Sequence, residues 1–177
     1  MKKLLFSAIA MIFFAGLTNK VMAQASSVDA FATVNATLAT SGVFTNKTPL
    51  NFGSFTAINA GGTMEMDAAT SLLTNTGITS LVGSVASAST FEISGTVNQD
   101  VTISLPIAAY TIRRAGGTET MTVTNFNSNP AGGTNINLGA SGKKTISVAG
   151  TLNVGVGQIP GSYISPDAGF KVTANFQ

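Results

Sequence analysis

The stretch Ile146-Ser147-Val148-Ala149-Gly150-Thr151-Leu152-Asn153-Val154-Gly155-Val156 places an apolar side chain or glycine at every even position. Side chains alternate faces along a β-strand, so this spacing predicts a strand with one buried face. A strand of this length would run to ~36 Å at ~3.3 Å per residue. A bend or bulge is expected at Gly150, where the missing side chain weakens the run.

The same period recurs on both sides of it. Val28, Ala30, Ala32, Val34, Ala36 and Leu38 alternate with Asp29, Phe31, Thr33, Asn35 and Thr37. Leu50, Phe52 and Phe55 suggest a short strand behind Pro49, and Met64, Met66 and Ala68 alternate with Thr63, Glu65 and Asp67. Phe91, Ile93 and Val97 precede an Asn98-Gln99-Asp100 turn, and Val101, Ile103 and Leu105 follow it, which predicts a hairpin. Met121 and Val123 share one parity, yet Phe126 keeps an apolar position after Asn125. Phe170, Val172, Ala174 and Phe176 end the chain. Gly61-Gly62, Gly116-Gly117, Gly132-Gly133, Ser141-Gly142 and Pro160-Gly161 carry turn chemistry between these runs. No segment keeps a helical period over three turns, although residues 68–83 have room for a short helix or an irregular crossover. The pattern predicts an all-β antiparallel sandwich of immunoglobulin-like topology.

At the N-terminus, Lys2 and Lys3 precede an apolar run from Leu4 to Leu17, followed by Val21-Met22-Ala23. This order reads as a secretory signal peptide cleaved after Ala23, with Ala25 as the alternative. The apolar run is shorter than the ~20 residues a membrane span requires. The division expected is a signal peptide over 1–23, an N-terminal strand over 24–40 and a sandwich over 41–177. The intact chain has a net charge of +2 and a pI near 9.1. Cleavage removes Lys2, Lys3 and Lys20, leaving six bases against seven acids and a net charge of −1. A nucleic-acid role loses its support, because phosphate binding needs clustered Lys and Arg. About a third of the remaining residues are Ser, Thr or Asn.

The chain has no Cys, His or Trp, and 9% of its residues are charged. Ser-His-Asp and Cys-His catalysis are therefore impossible, and sulfur-based zinc sites are excluded. Gly139-Ala140-Ser141-Gly142-Lys143-Lys144-Thr145 lacks the spacing of a phosphate-binding loop and reads as a hairpin turn. Gly155 to Gly161 lacks the dinucleotide spacing and is also a turn. Glu65 and Asp67 share the solvent face of a strand without the oxygen-rich loop that calcium needs. Arg113-Arg114 would point to opposite faces of a strand, so an edge or loop is expected. Lys171 would form an isopeptide crosslink only if buried beside an acid. No catalytic residue, cofactor or metal site is expected, and function falls to strand edges, loops and faces.

Several ordered motifs resemble one bacterial exported family. They are Leu50-Asn51-Phe52-Gly53, Phe91-Glu92-Ile93-Ser94-Gly95, Val101-Thr102-Ile103-Ser104-Leu105-Pro106 and Met121-Thr122-Val123. Val148 to Val154, Pro160-Gly161-Ser162-Tyr163 and Phe170-Lys171-Val172-Thr173 follow. Together they resemble domain of unknown function 4402 over roughly Val28 to Phe176. Ala149, where the family tends to have Gly, and the lengthened approach Ile164 to Gly169 depart from its pattern. The pattern is also similar to spore-coat-U-like and chaperone–usher pilin subunits, whose incomplete sandwiches take a strand from the next subunit. That similarity implies an exported, pilin-like structural protein of the periplasm, cell surface or medium of a Gram-negative bacterium. Val28, Ala30, Ala32, Val34, Ala36 and Leu38 would form the strand-donation face. Phe170, Val172, Ala174 and Phe176 would border the receiving groove or meet a chaperone. The partners implied are further copies of the chain, a periplasmic chaperone or an outer-membrane assembly protein. A self-contained adhesion module recognising a glycan or surface ligand is the alternative, and it predicts an aromatic-lined loop patch.

Overall fold

The computed structural model describes residues 42–57 and 59–177. The expected signal peptide, its cleavage site and the 28–38 strand lie outside the described residues. The described chain is all-β and antiparallel throughout, with no helix. In chain order the strands are β1 (Val43–Thr48), β2 (Phe55–Ala57), β3 (Gly62–Met66), β4 (Leu73–Thr76), β5 (Ile78–Ser80) and β6 (Ser89–Ser94). They continue as β7 (Asp100–Ser104), β8 (Tyr110–Arg114), β9 (Thr120–Asn129), β10 (Asn135–Asn137), β11 (Lys143–Val154), β12 (Tyr163–Ile164) and β13 (Thr173–Phe176).

The expected long strand is β11, shifted to Lys143–Val154 so that Val156 lies beyond it and is exposed, and it organises the larger sheet. One edge pairs with β6 over Lys143–Val148 and then with β3 over Thr151–Val154. Its other edge pairs with β9, and the main path runs β1-β6-β11-β9-β8-β12, with β4 beside β3. The irregularity expected at Gly150 is present, but the extra residue sits on β9. Ala149 stands opposite Asn127 and Thr151 opposite Thr124, so Asn125 and Phe126 together face Gly150. Asn125 adopts φ +49°, and the insertion lets Met121, Val123 and Phe126 all turn toward the core despite their broken parity. A side chain on Gly150 would stand 2.9 Å from the Thr124 carbonyl oxygen.

The bend divides the core. Phe91, Ile93, Ile146 and Val148 of the large sheet face Val101, Ile103 and Ile136 of a second sheet, β10-β7-β13. Beyond Gly150, Met64, Met66, Met121, Val123, Leu152 and Val154 form the other half. The β2–β5 ribbon, three residues per strand, contributes Ile78 and the partly buried Phe55 to that half. Asn127 ties β9 to the end of β3: its Nδ2 donates to the Met66 carbonyl (3.1 Å), and its Oδ1 accepts from Ala68 N–H (3.0 Å).

Several expectations are corrected. β6 and β7 are not a hairpin, because they belong to different sheets and face each other across the core. An arch between layers and a hairpin within one layer produce the same alternation and the same turn residues. Val97 is therefore outside any strand and 55% exposed. The 139–142 segment is likewise a turn between sheets; its Gly142 and Gly139 carbonyls accept from Gly95 N–H and Asn98 N–H, at 2.8 Å each. Residues 68–83 hold β4 and β5 instead of a helix. Leu50 and Phe52 flank a single bridge, Asn51 to Ser87, and only Phe55 begins a strand. Arg113 and Arg114 lie within β8, where Arg114 Nε donates to Glu119 Oε2 at 2.7 Å across the turn to β9.

Candidate functional groove

The weakly covered half of the core opens into a groove of about 1210 Å³. Its floor includes Met121, Val123, Leu152 and Val154, which alternation turns inward from β9 and β11. One wall is the 49–57 segment with Leu50, Phe52 and Phe55; the other combines β8, β12 and residues 158–170 with Ile112, Tyr163 and Phe170. No described residue lining it carries a formal charge. Such a surface selects apolar or hydrogen-bonding occupants, because a buried charge without a partner costs several kcal/mol.

The aromatic groups are anchored by local geometry. Tyr163 Oη donates to the Ile159 carbonyl and accepts from Gln158 Nε2, both at 2.6 Å, which fixes the second wall. Tyr110 Oη donates to Asp167 Oδ1 at 2.5 Å. Partial burial, then the neighbouring Asp167 carboxylate, raises the Tyr110 pKa. The Tyr110 hydroxyl and Gly169 N–H hold Asp167 below its ordinary carboxylate value. Phe170 meets Phe126, Tyr110 and Phe91 at ring-centroid distances of 4.9, 6.3 and 6.4 Å. Phe91 in turn stacks on Phe44 of β1 at 5.1 Å.

Phe170, Val172, Ala174 and Phe176 all pack partly buried against the half of the core beneath the second sheet. The regular strand begins at Thr173, later than the expected Phe170, because Gly169 at φ +96° turns Phe170 into the aromatic cluster. Phe176 stands opposite Val101 in the β7–β13 pair. Its ring occupies the space a side chain on Gly42 would fill, and lies against Gly95 as well. Among the described residues, β13 pairs only with β7 and β1 only with β6. Phe44 of β1 and Phe170 on the approach to β13 meet the same Phe91 ring. The donor-face residues Val28, Ala30, Ala32, Val34, Ala36 and Leu38 lie outside the described residues.

The other sites considered in the sequence do not come together. Asp67 caps its own turn, accepting from Ala69 N–H, Thr70 N–H and Thr70 Oγ1, and those bonds lower its pKa. Glu65 stays on the outer face, and Lys171 is exposed. The alternation reading missed the groove, whose walls come from segments over a hundred residues apart. Two signals pointed to it: the uncharged runs 48–57 and 158–166, and the clustering of Tyr and Phe near irregular segments.

No curated protein and no solved structure matches the chain. A family model described as "Domain of unknown function (DUF4402)" matches residues 43–176, from the first residue of β1 to the last of β13. That match spans most of the sequence and contains both halves of the core, so the chain belongs to the DUF4402 family.

Proposed function

We propose that this protein is an exported structural subunit of pilin-like character, assembling when the N-terminal strand of one copy enters the groove of the next. One observation carries the reading: an uncharged groove of about 1210 Å³ opens beside Phe170, on the approach to β13, which among the described residues pairs only with β7. Residues 28–38 would span ~36 Å when extended, whereas the four residues of β13 offer only ~13 Å of pairing. The donor would therefore run along β13 and continue into the groove. There Val28, Ala30, Ala32, Val34, Ala36 and Leu38 would meet apolar walls. Open strand edges recruit added strands because their N–H and C=O groups lack partners. In this reading the sandwich is immunoglobulin-like and completed in trans, and a periplasmic chaperone or outer-membrane assembly protein guards the edge before assembly.

The test is Val34→Asp in the exported full chain. A carboxylate placed on the donor face abolishes multimers while the acceptor body still folds. A stable wild-type monomer that unfolds when residues 24–38 are removed would instead mean that the strand pairs within its own chain. The adhesion reading draws on Tyr110 and Tyr163 lining the same groove. It predicts saturable binding of a neutral glycan by a monomer, which Tyr163→Ala would abolish.

A further inference from the structure

We propose that residues 158–168 form a hinged lid, the movable wall of the groove, which turns about Gly157 and Gly169 and is latched to the body by Tyr110. The inference rests on the groove taking an occupant and adds how that occupant is admitted and then held.

The first argument is how the segment is hung. Gly157 and Gly169 adopt φ +62° and +96°, and a Cβ at either would meet nothing within 4 Å. Glycine in open space changes its backbone angles at little steric cost, and a few such positions suffice for a hinge. The chain is held at both hinges. Gly157 N–H donates to the Asn59 carbonyl at 3.1 Å. Phe170, next to Gly169, packs among Phe126, Tyr110 and Phe91. Between the hinges the lid braces itself, because Tyr163 Oη donates to the Ile159 carbonyl and accepts from Gln158 Nε2, both at 2.6 Å. It therefore moves as a unit.

The second argument is how little holds the lid shut. Its ladder to the body is the two-residue β12, with Tyr163 opposite Arg114 and Ile164 opposite Arg113. Ala115 N–H extends it by donating to the Ser162 carbonyl at 2.8 Å. By contrast, β11 in the floor is paired on both edges. Ile159 and Ile164 are 45% and 54% exposed, while Tyr163 turns in against the core. Segments with short ladders and few buried contacts open at far lower free energy than the whole domain. Tyr110 begins β8, at the far end from Arg114, and grips both sides of the second hinge. Its ring meets Phe170 at 6.3 Å and its hydroxyl donates to Asp167 at 2.5 Å. Opening withdraws Tyr163 from the groove and widens it, and closing sets the ring against the occupant.

Two adjacent amides of the body separate lid opening from general loosening. Ala115 N–H is bonded to the lid at Ser162, whereas Arg114 N–H is bonded to the Glu119 carbonyl within the β8–β9 hairpin, at 2.8 Å each. Hydrogen exchange of the exported full chain is read at single-residue resolution by mass spectrometry and corrected for intrinsic rates. It should be at least about tenfold faster at Ala115 than at Arg114. Tyr110→Phe keeps the ring and removes the latch, so exchange at Ala115 should rise about tenfold, as for loss of one hydrogen bond to a charged group. Arg114, nearer to Tyr110 along the chain, should be unchanged. The chain has no cysteine, so Arg113→Cys with Ile164→Cys, an exposed facing pair, closes a disulfide that locks the lid and slows Ala115 until it is reduced. Equal exchange at Ala115 and Arg114, a Tyr110→Phe change that moves both or neither, or a disulfide that leaves Ala115 unaltered overturns the lid. These readings hold whether the groove is filled in trans or within the chain. Absence of multimers overturns strand donation by itself, and the exchange result stands apart from it.

Discussion

Replacing Gly150 with Ala tests the bend on which the divided core depends. The added Cβ would lie 2.9 Å from the Thr124 carbonyl oxygen, 3.1 Å from Val123 Cγ1 and 3.4 Å from Phe126 Cδ1. The nearest atom belongs to the backbone of β9, and the adjacent Thr151–Thr124 pair restrains it. Relief requires β9 to retreat by about half an ångström at the bulge. Overpacking of this kind costs about 1–3 kcal/mol. The lower entropy of an unfolded alanine returns ~0.4–1 kcal/mol. The net expectation is a loss of ~1–2 kcal/mol and a fall in Tm of roughly 3–8 °C for a domain of this size. Urea unfolding of the exported protein provides the assay, with a lower midpoint and an unchanged m-value. Gly155→Ala is the control, since its Cβ would meet only the flexible end of Gln158. A Gly150→Ala protein as stable as wild type would refute the claim that this position admits no side chain.

Asn127→Ala leaves the Met66 carbonyl and Ala68 N–H without their present partner, and should cost about 1–3 kcal/mol in the same urea assay. Acid should weaken the fold through Asp67, Glu119 and Asp167, whose pKa values the structure lowers through hydrogen bonds led by Thr70, Arg114 and Tyr110 respectively. Their contribution is complete above the unfolded carboxylate range of ~4 and is lost as pH falls through the lower folded values. A Tm series descending from neutral pH should therefore drop in that acidic window, and Glu119→Gln should flatten part of the drop. Mass spectrometry of the exported chain should give an N-terminus at Gln24. The intact leader on secreted material would contradict the signal-peptide reading.

Much of the fold was legible because burial on one face imposes period two. β3, β9 and β11 follow their apolar residues directly, and the phase slip from Val123 to Phe126 already encoded the bulge opposite Gly150. What alternation does not encode is the partner of a strand. Phe91-Ile93 and Val101-Ile103 have the same pattern whether they share a sheet or oppose each other across the core, and so the expected hairpin proved to be an arch. The 68–83 segment lacked regular spacing because β4 and β5 are short and half covered. Within the candidate site, Phe170 to Phe176 were legible as an apolar row. The opposing wall at Leu50–Phe55 and the Tyr163 anchor depend on tertiary approach, which no local pattern reports.

Strand donation is tested most directly by a chain lacking residues 24–38, exported and mixed with a synthetic peptide of residues 28–38. The account predicts one peptide bound per chain, a Tm that rises with peptide concentration as expected of a ligand that binds only the folded state, and no binding by the peptide carrying Val34→Asp. A truncated chain that is already a stable monomer and whose Tm ignores the peptide would contradict it.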